Sequence, residues 1–202
     1  MLGSGKFLNK KIVFILVVVL ILIIGGIFLW INKPKEIKGS PDDYVIKETQ
    51  EGIVVENSRA GLRFKVPDGW KARKVEVEEG SVVLYSPDAE SVYQGKIRPP
   101  LKKGCMIEIA VIYKSMSIDE LEEKIREMHT GPTVESDKIF SAKINHIHSL
   151  RNEFLDKVLG YGNAVYIPTQ NKVYSICIYS NSQDAKACNE AFNKFLDTLS
   201  FE

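Results

Sequence analysis

Residues 105–113 read Cys-Met-Ile-Glu-Ile-Ala-Val-Ile-Tyr, the strongest strand signal in the chain. Because successive side chains of a strand point to opposite faces of the sheet, one face carries Cys105, Ile107, Ile109, Val111 and Tyr113. The other face carries Met106, Glu108, Ala110 and Ile112. We predict that this stretch is a central strand of a sheet.

Weaker strand patterns lie on both sides of this stretch. Before it, strand-type runs occupy residues 44–47, 53–56, 62–66, 72–78 and 81–85. After it, the pattern predicts an antiparallel meander through residues 138–155, 164–167 and 173–180, with turns at Gly160, Gly162 and 169–172.

Two helices complete the pattern. Ser-Ile-Asp-Glu at 117–120 is a capping box, in which Glu120 can bond back to Ser117, and it opens a helix whose stripe is Ile118, Leu121, Ile125 and Met128. A second helix begins near Asn181 or Ser182, and its stripe of Cys188, Phe192, Phe195 and Leu199 has to lie on the sheet. The fold class is therefore predicted as α+β.

The N-terminal part of the chain has a different composition. Residues 12–31 carry no charge and are aliphatic or aromatic except for Gly25 and Gly26. Roughly 20 helical residues at about 1.5 Å each span a bilayer core about 30 Å thick. The run exceeds the apolar region of about 7 to 15 residues in a cleaved signal peptide and has no small-residue cleavage site after it. We therefore predict an uncleaved transmembrane signal anchor, with Trp30 at the far interface.

These patterns divide the chain into four segments. They are a short cytoplasmic tail at 1–11, the anchor at 12–31, a linker at 32–43 and an extracytoplasmic α+β domain at 44–202. Lysines flank the anchor almost equally, at positions 6, 10 and 11 and at positions 33, 35 and 38. The short basic tail is the usual form of an anchor that holds its N-terminus in the cytoplasm. The protein is thus predicted to be a single-pass protein of the cell membrane.

Charge and loop length indicate where a partner would bind. The chain has 27 basic and 26 acidic residues, a formal net charge of +1, so it has no bulk field for nucleic acid. Residues 86–104 lack a regular pattern and contain Lys96, Arg98, Lys102 and Lys103. Loops longer than about 12 to 15 residues in a compact domain are usually functional or disordered. We predict that this loop contacts a partner.

The three cysteines allow more than one state. Cys105 opens the central strand and Cys188 lies on the stripe of the last helix, so the two can form a disulfide if that helix covers that strand. Cys177 could replace either partner. Three reduced core cysteines are an equal alternative, because free cysteine is among the most buried residue types.

No catalytic or cofactor site is predicted. His146 and His148 form a His-x-His pair on a predicted strand, with Cα atoms about 7 Å apart, and are the only metal candidates; a zinc site needs at least three protein ligands. Gly-Tyr-Gly at 160–162 lacks the Lys-Ser/Thr of a P-loop. The sequence contains neither a Gly-x-Ser-x-Gly nor a His-Glu-x-x-His motif. The domain is accordingly predicted to be non-enzymatic.

Three stretches together resemble a known family. They are Gly-Leu-Arg-Phe-Lys-Val-Pro-Asp-Gly-Trp-Lys at 61–71, Val-Tyr-Ile-Pro at 165–168 with Val-Tyr-Ser-Ile-Cys-Ile-Tyr-Ser at 173–180, and Phe-Asn-Lys-Phe-Leu-Asp-Thr-Leu-Ser-Phe at 192–201. Their order resembles the PsbP-like (Mog1/PsbP) domains. The resemblance implies an α/β/α sandwich with a central antiparallel sheet over residues 44–202, and a non-enzymatic accessory or assembly module.

The leading hypothesis is an interaction module that binds a protein or envelope component through its sheet edge or the 86–104 loop. One alternative is an envelope hydrolase, for which His146 or His148 would have to meet two acidic groups in a deep pocket. The other is a domain whose basic loop lies on anionic lipid.

Overall fold

The computed structural model describes Val19, Ile23 and residues 39–75, 80–93 and 99–201. Contacts divide the chain into two units, Met1–Glu36 and Ile37–Glu202. Apart from Val19 and Ile23, which are helical, the predicted anchor at 12–31 lies outside the described residues, as does the predicted tail. Within the described ranges, no helix is long and apolar enough to cross a bilayer.

The described residues of the second unit form strands and two α-helices. The strands are β1 Val45–Thr49, β2 Gly52–Asn57, β3 Leu62–Lys65, β4 Lys71–Val75, β5 Ser81–Tyr85, β6 Glu90–Ser91, β7 Leu101–Lys103, β8 Cys105–Ile112, β9 Val134–Ile144, β10 Ile147–Asp156, β11 Gly160–Pro168, β12 Val173–Ser180 and β13 Ser200–Phe201. The helices are α1 Ile118–Met128 and α2 Ala185–Leu196, and a 3₁₀ helix occupies Pro41–Asp43.

The strands that the structure describes form three sheets. Seven of them make an antiparallel sheet in the order β4-β5-β8-β12-β11-β10-β9, in which β9 to β12 are the predicted meander. A four-stranded sheet has the order β1-β2-β3-β13, and β6 pairs with β7. The predicted α+β class with antiparallel strands is confirmed. The expectation of one sheet is corrected, because the strands before β4 pair among themselves and with the C-terminal strand.

The large sheet is covered on both faces. On the first, here the α2 face, Ile107 and Ile109 of β8 are buried with Phe192 of α2 and with Phe64 of the small sheet. On the opposite α1 face, Leu121 and Ile125 of α1 pack in one cluster with strand residues Leu150, Phe154, Ala164, Tyr166 and Val173. A helix therefore lies on each face of the sheet, as the α/β/α resemblance implies, and the small sheet is an additional part of the α2 layer.

Helix α1 begins as predicted, but one residue of its predicted apolar stripe is not buried. Both bonds of the capping box form: Glu120 N donates to Ser117 Oγ at 3.2 Å, and Ser117 N donates to Glu120 Oε2 at 2.8 Å. Met128, placed on the apolar stripe by its spacing, is instead exposed. The ring of His129, which caps the helix, packs on Phe154 with the centroids 4.5 Å apart.

Two further expectations need correction. Helix α2 starts at Ala185 rather than near Asn181, because the Asn181 side chain accepts the Asp184 N–H at 2.7 Å and forms a turn first. Gly160 and Gly162 lie within β11, not in a turn between strands. A Cβ at Gly162 would overlap the ring of Phe154, which occupies the space above that glycine.

Replacing Gly162 with alanine tests this packing. Because the backbone of Gly162 is not left-handed, the cost of Gly162→Ala comes from displacing the buried Phe154 ring. We expect the free energy of unfolding to fall by about 1–3 kcal/mol, the usual range for overpacking. Chemical denaturation of the full chain in detergent measures it.

A matched control and a rescue accompany this variant. Gly131→Ala places a Cβ 3.8 Å from Thr133 Oγ1, ordinary contact distance, and should change stability by no more than about 0.5 kcal/mol. In a Phe154→Leu background, Gly162→Ala should cost less than in wild type. An equal cost in both backgrounds would show that the ring is not the cause.

Candidate partner-binding site

The segment 86–104 is fixed at its base. Ser86 Oγ accepts the N–H of Cys105 at 2.9 Å, and the N–H of Gly104 donates to Asp184 Oδ2 at 2.9 Å. Gly104 has φ +76°, and a Cβ there would lie 2.6 Å from Ser86 Oγ, so both its conformation and its surroundings require glycine. Asn181 adds a bond from its Nδ2 to Lys102 O at 2.5 Å. The two ends of the segment are thus held together next to the start of α2.

Part of this segment is regular, which corrects the prediction of an irregular loop. β6 and β7 pair antiparallel with a register shift between Glu90 and Ser91, and Val92 N donates to Pro100 O at 3.2 Å. Pro99 and Pro100 interrupt the alternation that would mark a strand in the sequence. Residues 94–98, which include the predicted partner residues Lys96 and Arg98, lie outside the described ranges.

The other two predicted partner residues form ion pairs within the segment. Lys102 Nζ lies 3.2 Å from Glu90 Oε1, and Lys103 Nζ lies 3.5 Å from Asp88 Oδ2. The hydroxyl of Ser86 lowers the pKa of Asp88 by donating a hydrogen bond to it, and Lys103 lowers it further. Solvent-exposed pairs of this kind contribute about 0–1 kcal/mol. Among the described residues of the segment, Lys102 and Lys103 are therefore balanced by neighbouring acids.

The segment also presents apolar side chains at its surface. Leu101 is buried with Val83 and Met106 on the α1 face and anchors the segment there. Directly after β6, the strand that pairs with β7, Val92 and Tyr93 are 44% and 42% exposed. Aromatic side chains are enriched at the cores of protein interfaces. Tyr93 is a side chain of this type, and it lies exposed beside the aliphatic Val92 on a fixed base.

A disulfide lies directly beneath the base. Cys105 and Cys188 are joined, with their Sγ atoms 2.09 Å apart, so the first residue of β8 is bonded to α2. Cys177 is buried on the other face of the sheet, where desolvation raises the pKa of its thiol to about 12. A thiol with so high a pKa is a poor nucleophile.

The two candidate histidines do not share a strand face. Asn145 and His146 have φ values of 47° and 70° and form the two-residue turn between β9 and β10. This corrects the strand prediction, because positive φ at both residues is the geometry of a type I′ hairpin turn and not of a strand. Asn145 Nδ2 also donates to Leu199 O at 2.6 Å, while His148 lies exposed on β10. In the described parts of the chain, no group of three or more His, Cys, Asp or Glu could hold a metal ion.

One acid lies inside the α1 face. Glu108 is half-buried, accepts a hydrogen bond from Ser81 Oγ at 3.1 Å, and stands opposite Cys177 in the register of β8 and β12. Burial raises the pKa of Glu108 and also the pKa of Tyr166, which interacts with Cys177. Because the Cys177 thiol is also kept protonated, the cluster can hold a proton but has no activated nucleophile. In the sequence, the only sign of this cluster is Glu108, the single acid within the apolar run 105–112.

A cleft of about 410 Å³ lies between α2 and the turn after β3. Its lining includes Pro67, Ala191 and Phe195, with Glu190 and Lys194 on α2. Nearby, Lys65 Nζ pairs with Asp68 Oδ1 at 3.1 Å. The cleft offers apolar surface with balanced charge. No local sequence pattern predicts it, because its two walls are far apart in the chain.

Comparison with known proteins gives structural likeness only. No family model matches the chain, and no curated protein matches it. The solution structure of the cyanobacterial PsbP protein (CyanoP) from Synechocystis sp. PCC 6803 is similar, with 10% identity, a TM-score of 0.48, and coverage of 74% of this chain and 91% of that one. A crystal structure from Bacteroides thetaiotaomicron VPI-5482 is similar at 15% identity and a TM-score of 0.42, covering 70% of this chain and 45% of that one.

Removing the disulfide should destabilise the domain. Loss of a native disulfide typically costs about 2–5 kcal/mol. We therefore expect Cys105→Ser/Cys188→Ser to unfold at lower denaturant than wild type, and a reductant to shift wild type but not this variant. Cys177→Ala is the control and should stay sensitive to the reductant. Equal midpoints for wild type with and without reductant would contradict the expectation.

The pH dependence of the free energy of unfolding should reveal the raised pKa of Glu108. Its pKa is raised in the folded state, so between the unfolded value of 4.5 and the folded value the native state binds more protons. The contribution of Glu108 is therefore most favourable below pH 4.5 and is lost as the pH rises through the folded pKa.

The variant Glu108→Gln isolates this contribution, because glutamine keeps an acceptor for Ser81 and does not titrate. We expect the stability of Glu108→Gln relative to wild type to increase from pH 4 to pH 8 in denaturation experiments. The control is Glu190→Gln, which removes one negative charge at an exposed position of α2. A relative stability of Glu108→Gln that stays constant over this range would refute the assignment.

Proposed function

We propose that this chain is a membrane-anchored, non-enzymatic module that binds a protein or envelope component on the extracytoplasmic side of the cell membrane. The segment 86–104 is its contact surface, and the domain formed by Ile37–Glu202 is its scaffold. The observation that carries the proposal is the pair of exposed side chains Val92 and Tyr93 on a base closed by Ser86 and Gly104.

The anchor is supported by composition. Residues 12–31 contain no charged side chain and have the length that a bilayer core requires, roughly 20 helical residues. The two of them that the structure describes, Val19 and Ile23, are helical and are 45% and 52% exposed. Apolar side chains in such positions fit contact with lipid.

The fixed base favours binding over a flexible linker role. A preformed contact surface loses less conformational entropy when a partner binds, which favours affinity. Here the base is held by Ser86, by Asp184 and by the Cys105–Cys188 disulfide. Lys96 and Arg98 belong to the same segment of the sequence and give it two further positive charges. The partner surface that fits this chemistry is an apolar patch bordered by acidic groups.

Photocrosslinking in intact cells tests the contact surface. With a photoreactive phenylalanine analogue at position 93, we expect a discrete crosslinked protein product that is reduced more than about tenfold by Val92→Ser, as for a hot-spot residue worth over 1.4 kcal/mol. The control pair is Val158→Ser/Leu159→Ser, which removes exposed apolar side chains from the β10–β11 turn. Loss of the product with the control pair but not with Val92→Ser would reject the site, and crosslinking to lipid alone would reject a protein partner.

Thiol labelling tests the side of the membrane. A cysteine at the exposed position 182, introduced as Ser182→Cys, should react with a membrane-impermeant maleimide in intact cells. A cysteine introduced as Ser4→Cys should react only after the cells are opened. The reverse pattern would place the domain in the cytoplasm and refute the proposed location.

A further inference from the structure

Strand β9 ends the seven-stranded sheet, and within the described residues no strand pairs with its outer side. It has 11 residues, whereas β4 at the opposite edge has five within the described part of the chain. Its side chains are exposed or half-exposed along the whole strand. An open edge of this length presents a row of unpaired backbone N–H and C=O groups that can pair with another strand.

The regular part of β9 is shorter than the whole strand. Pairing with β10 shifts register between Leu155 and Asp156, whose partners are Ser136 and Val134, so Glu135 forms a bulge. Residues 136–144 therefore pair regularly, and Phe140 is the middle residue of these nine. A second strand added to the outer side can follow this stretch without interruption.

The sequence of this stretch is complementary to itself when reversed about Phe140. In an antiparallel pair centred on Phe140, residue 137 stands opposite residue 143, and residue 138 opposite residue 142. Asp137 then faces Lys143 twice, once on each side of the centre, and Phe140 faces its own copy. If the pair were centred on Lys138, the neighbour of Phe140 on the same face, the two copies of Lys138 would stand opposite each other. Opposite charges directly across a strand pair are favourable, and like charges are unfavourable.

The side chains are placed for this pairing. Because Asp137 and Lys143 are both odd-numbered residues of the regular stretch, they lie on the α1 face, while Phe140 lies on the α2 face. Asn152 Nδ2 donates to Asp137 Oδ1 at 2.9 Å, which orients this carboxylate and leaves its other oxygen to a partner. Lys138 Nζ lies 5.5 Å from the centroid of the Phe140 ring, so the cation already covers one aromatic side chain at the centre.

We propose that two copies of this protein associate by antiparallel pairing of β9 with β9, about a two-fold axis at Phe140. The pairing joins the two seven-stranded sheets into one continuous sheet, and its interface is the same patch on both copies, as in most symmetric dimers. The charges on β9 set the register of the pair. This inference does not depend on the contact surface at 86–104, which lies on a different part of the sheet.

Site-directed crosslinking of the full chain in detergent tests the register. In a Cys177→Ala background, Phe140→Cys places two thiols on the axis, with Cα atoms about 4.5–5.5 Å apart, within the range of a disulfide. Oxidation should give a covalent dimer. Lys138→Cys alone should not, since its two copies are separated by about 13 Å along the strands. The combination Lys138→Cys/Ala142→Cys should crosslink again.

Charge exchange tests the interaction that sets the register. Asp137→Lys puts lysine opposite Lys143 twice and should raise the dimer dissociation constant by more than about tenfold, measured by sedimentation. The exchanged variant Asp137→Lys/Lys143→Asp should restore dimerisation. Since both variants lose the Asn152 bond, restoration cannot come from repaired folding.

Three results would overturn the proposal. They are a monomeric wild-type chain, a dimer that is unaffected by Asp137→Lys, and crosslinking of Phe140→Cys only to a different protein, which would make the edge a site for another strand. The substitution Val92→Ser should leave the dimer intact, so a failure of this inference is distinguishable from a failure of the proposed function.

Discussion

Burial of β8 on both faces is the constraint on which the rest of the domain depends. On the α2 face, Ile107 and Ile109 are fully buried beneath α2 and the small sheet. On the α1 face, Met106 is buried with Leu101 of the 86–104 segment. Full burial of one such aliphatic side chain is worth about 1.5–3 kcal/mol. Because these layers share one strand, a change in β8 affects the small sheet, α2 and the candidate contact segment together.

The same strand connects the core to the surface. Cys105, its first residue, is bonded to Cys188 and also donates its N–H to Ser86. The contact segment therefore leaves the sheet at the point where β8 is bonded to α2. Strand β9 lies four positions away in the sheet order, at the far edge. A partner bound at Val92 and a second copy bound at β9 would occupy separate surfaces, so one protein could use both.

Local signals account for the features that the sequence predicted. The alternation of residues 105–113 and the capping box at Ser117 are each contained in a few residues, and both appear in the structure as expected. The turn at Asn145 and His146 was missed because neither residue is glycine, although both have positive φ. Asn145 is held in this conformation by its bond to Leu199 O, and that contact lies 54 residues away in sequence.

Other features depend on contacts that no local pattern contains. The four-stranded sheet needs β13 to pair with β3, and the disulfide joins residues separated by 83 positions. Cys105 and Cys188 could be suggested as a pair only by supposing that α2 covers β8. The β6–β7 pairing was hidden because Pro99 and Pro100 break the strand pattern. Glu108 was visible as an acid in an apolar run, but its raised pKa follows from the layers packed around it.

Hydrogen–deuterium exchange of the full chain in detergent is the most direct test of the role assigned to β8. If β8 is the shared centre of both layers, its amides and those of its neighbour β12 should exchange only through global unfolding, with the highest protection in the domain. The amides of the edge strands β4 and β9 should exchange by local opening at lower free energy. Exchange of β8 as rapid as that of β4 would contradict this role.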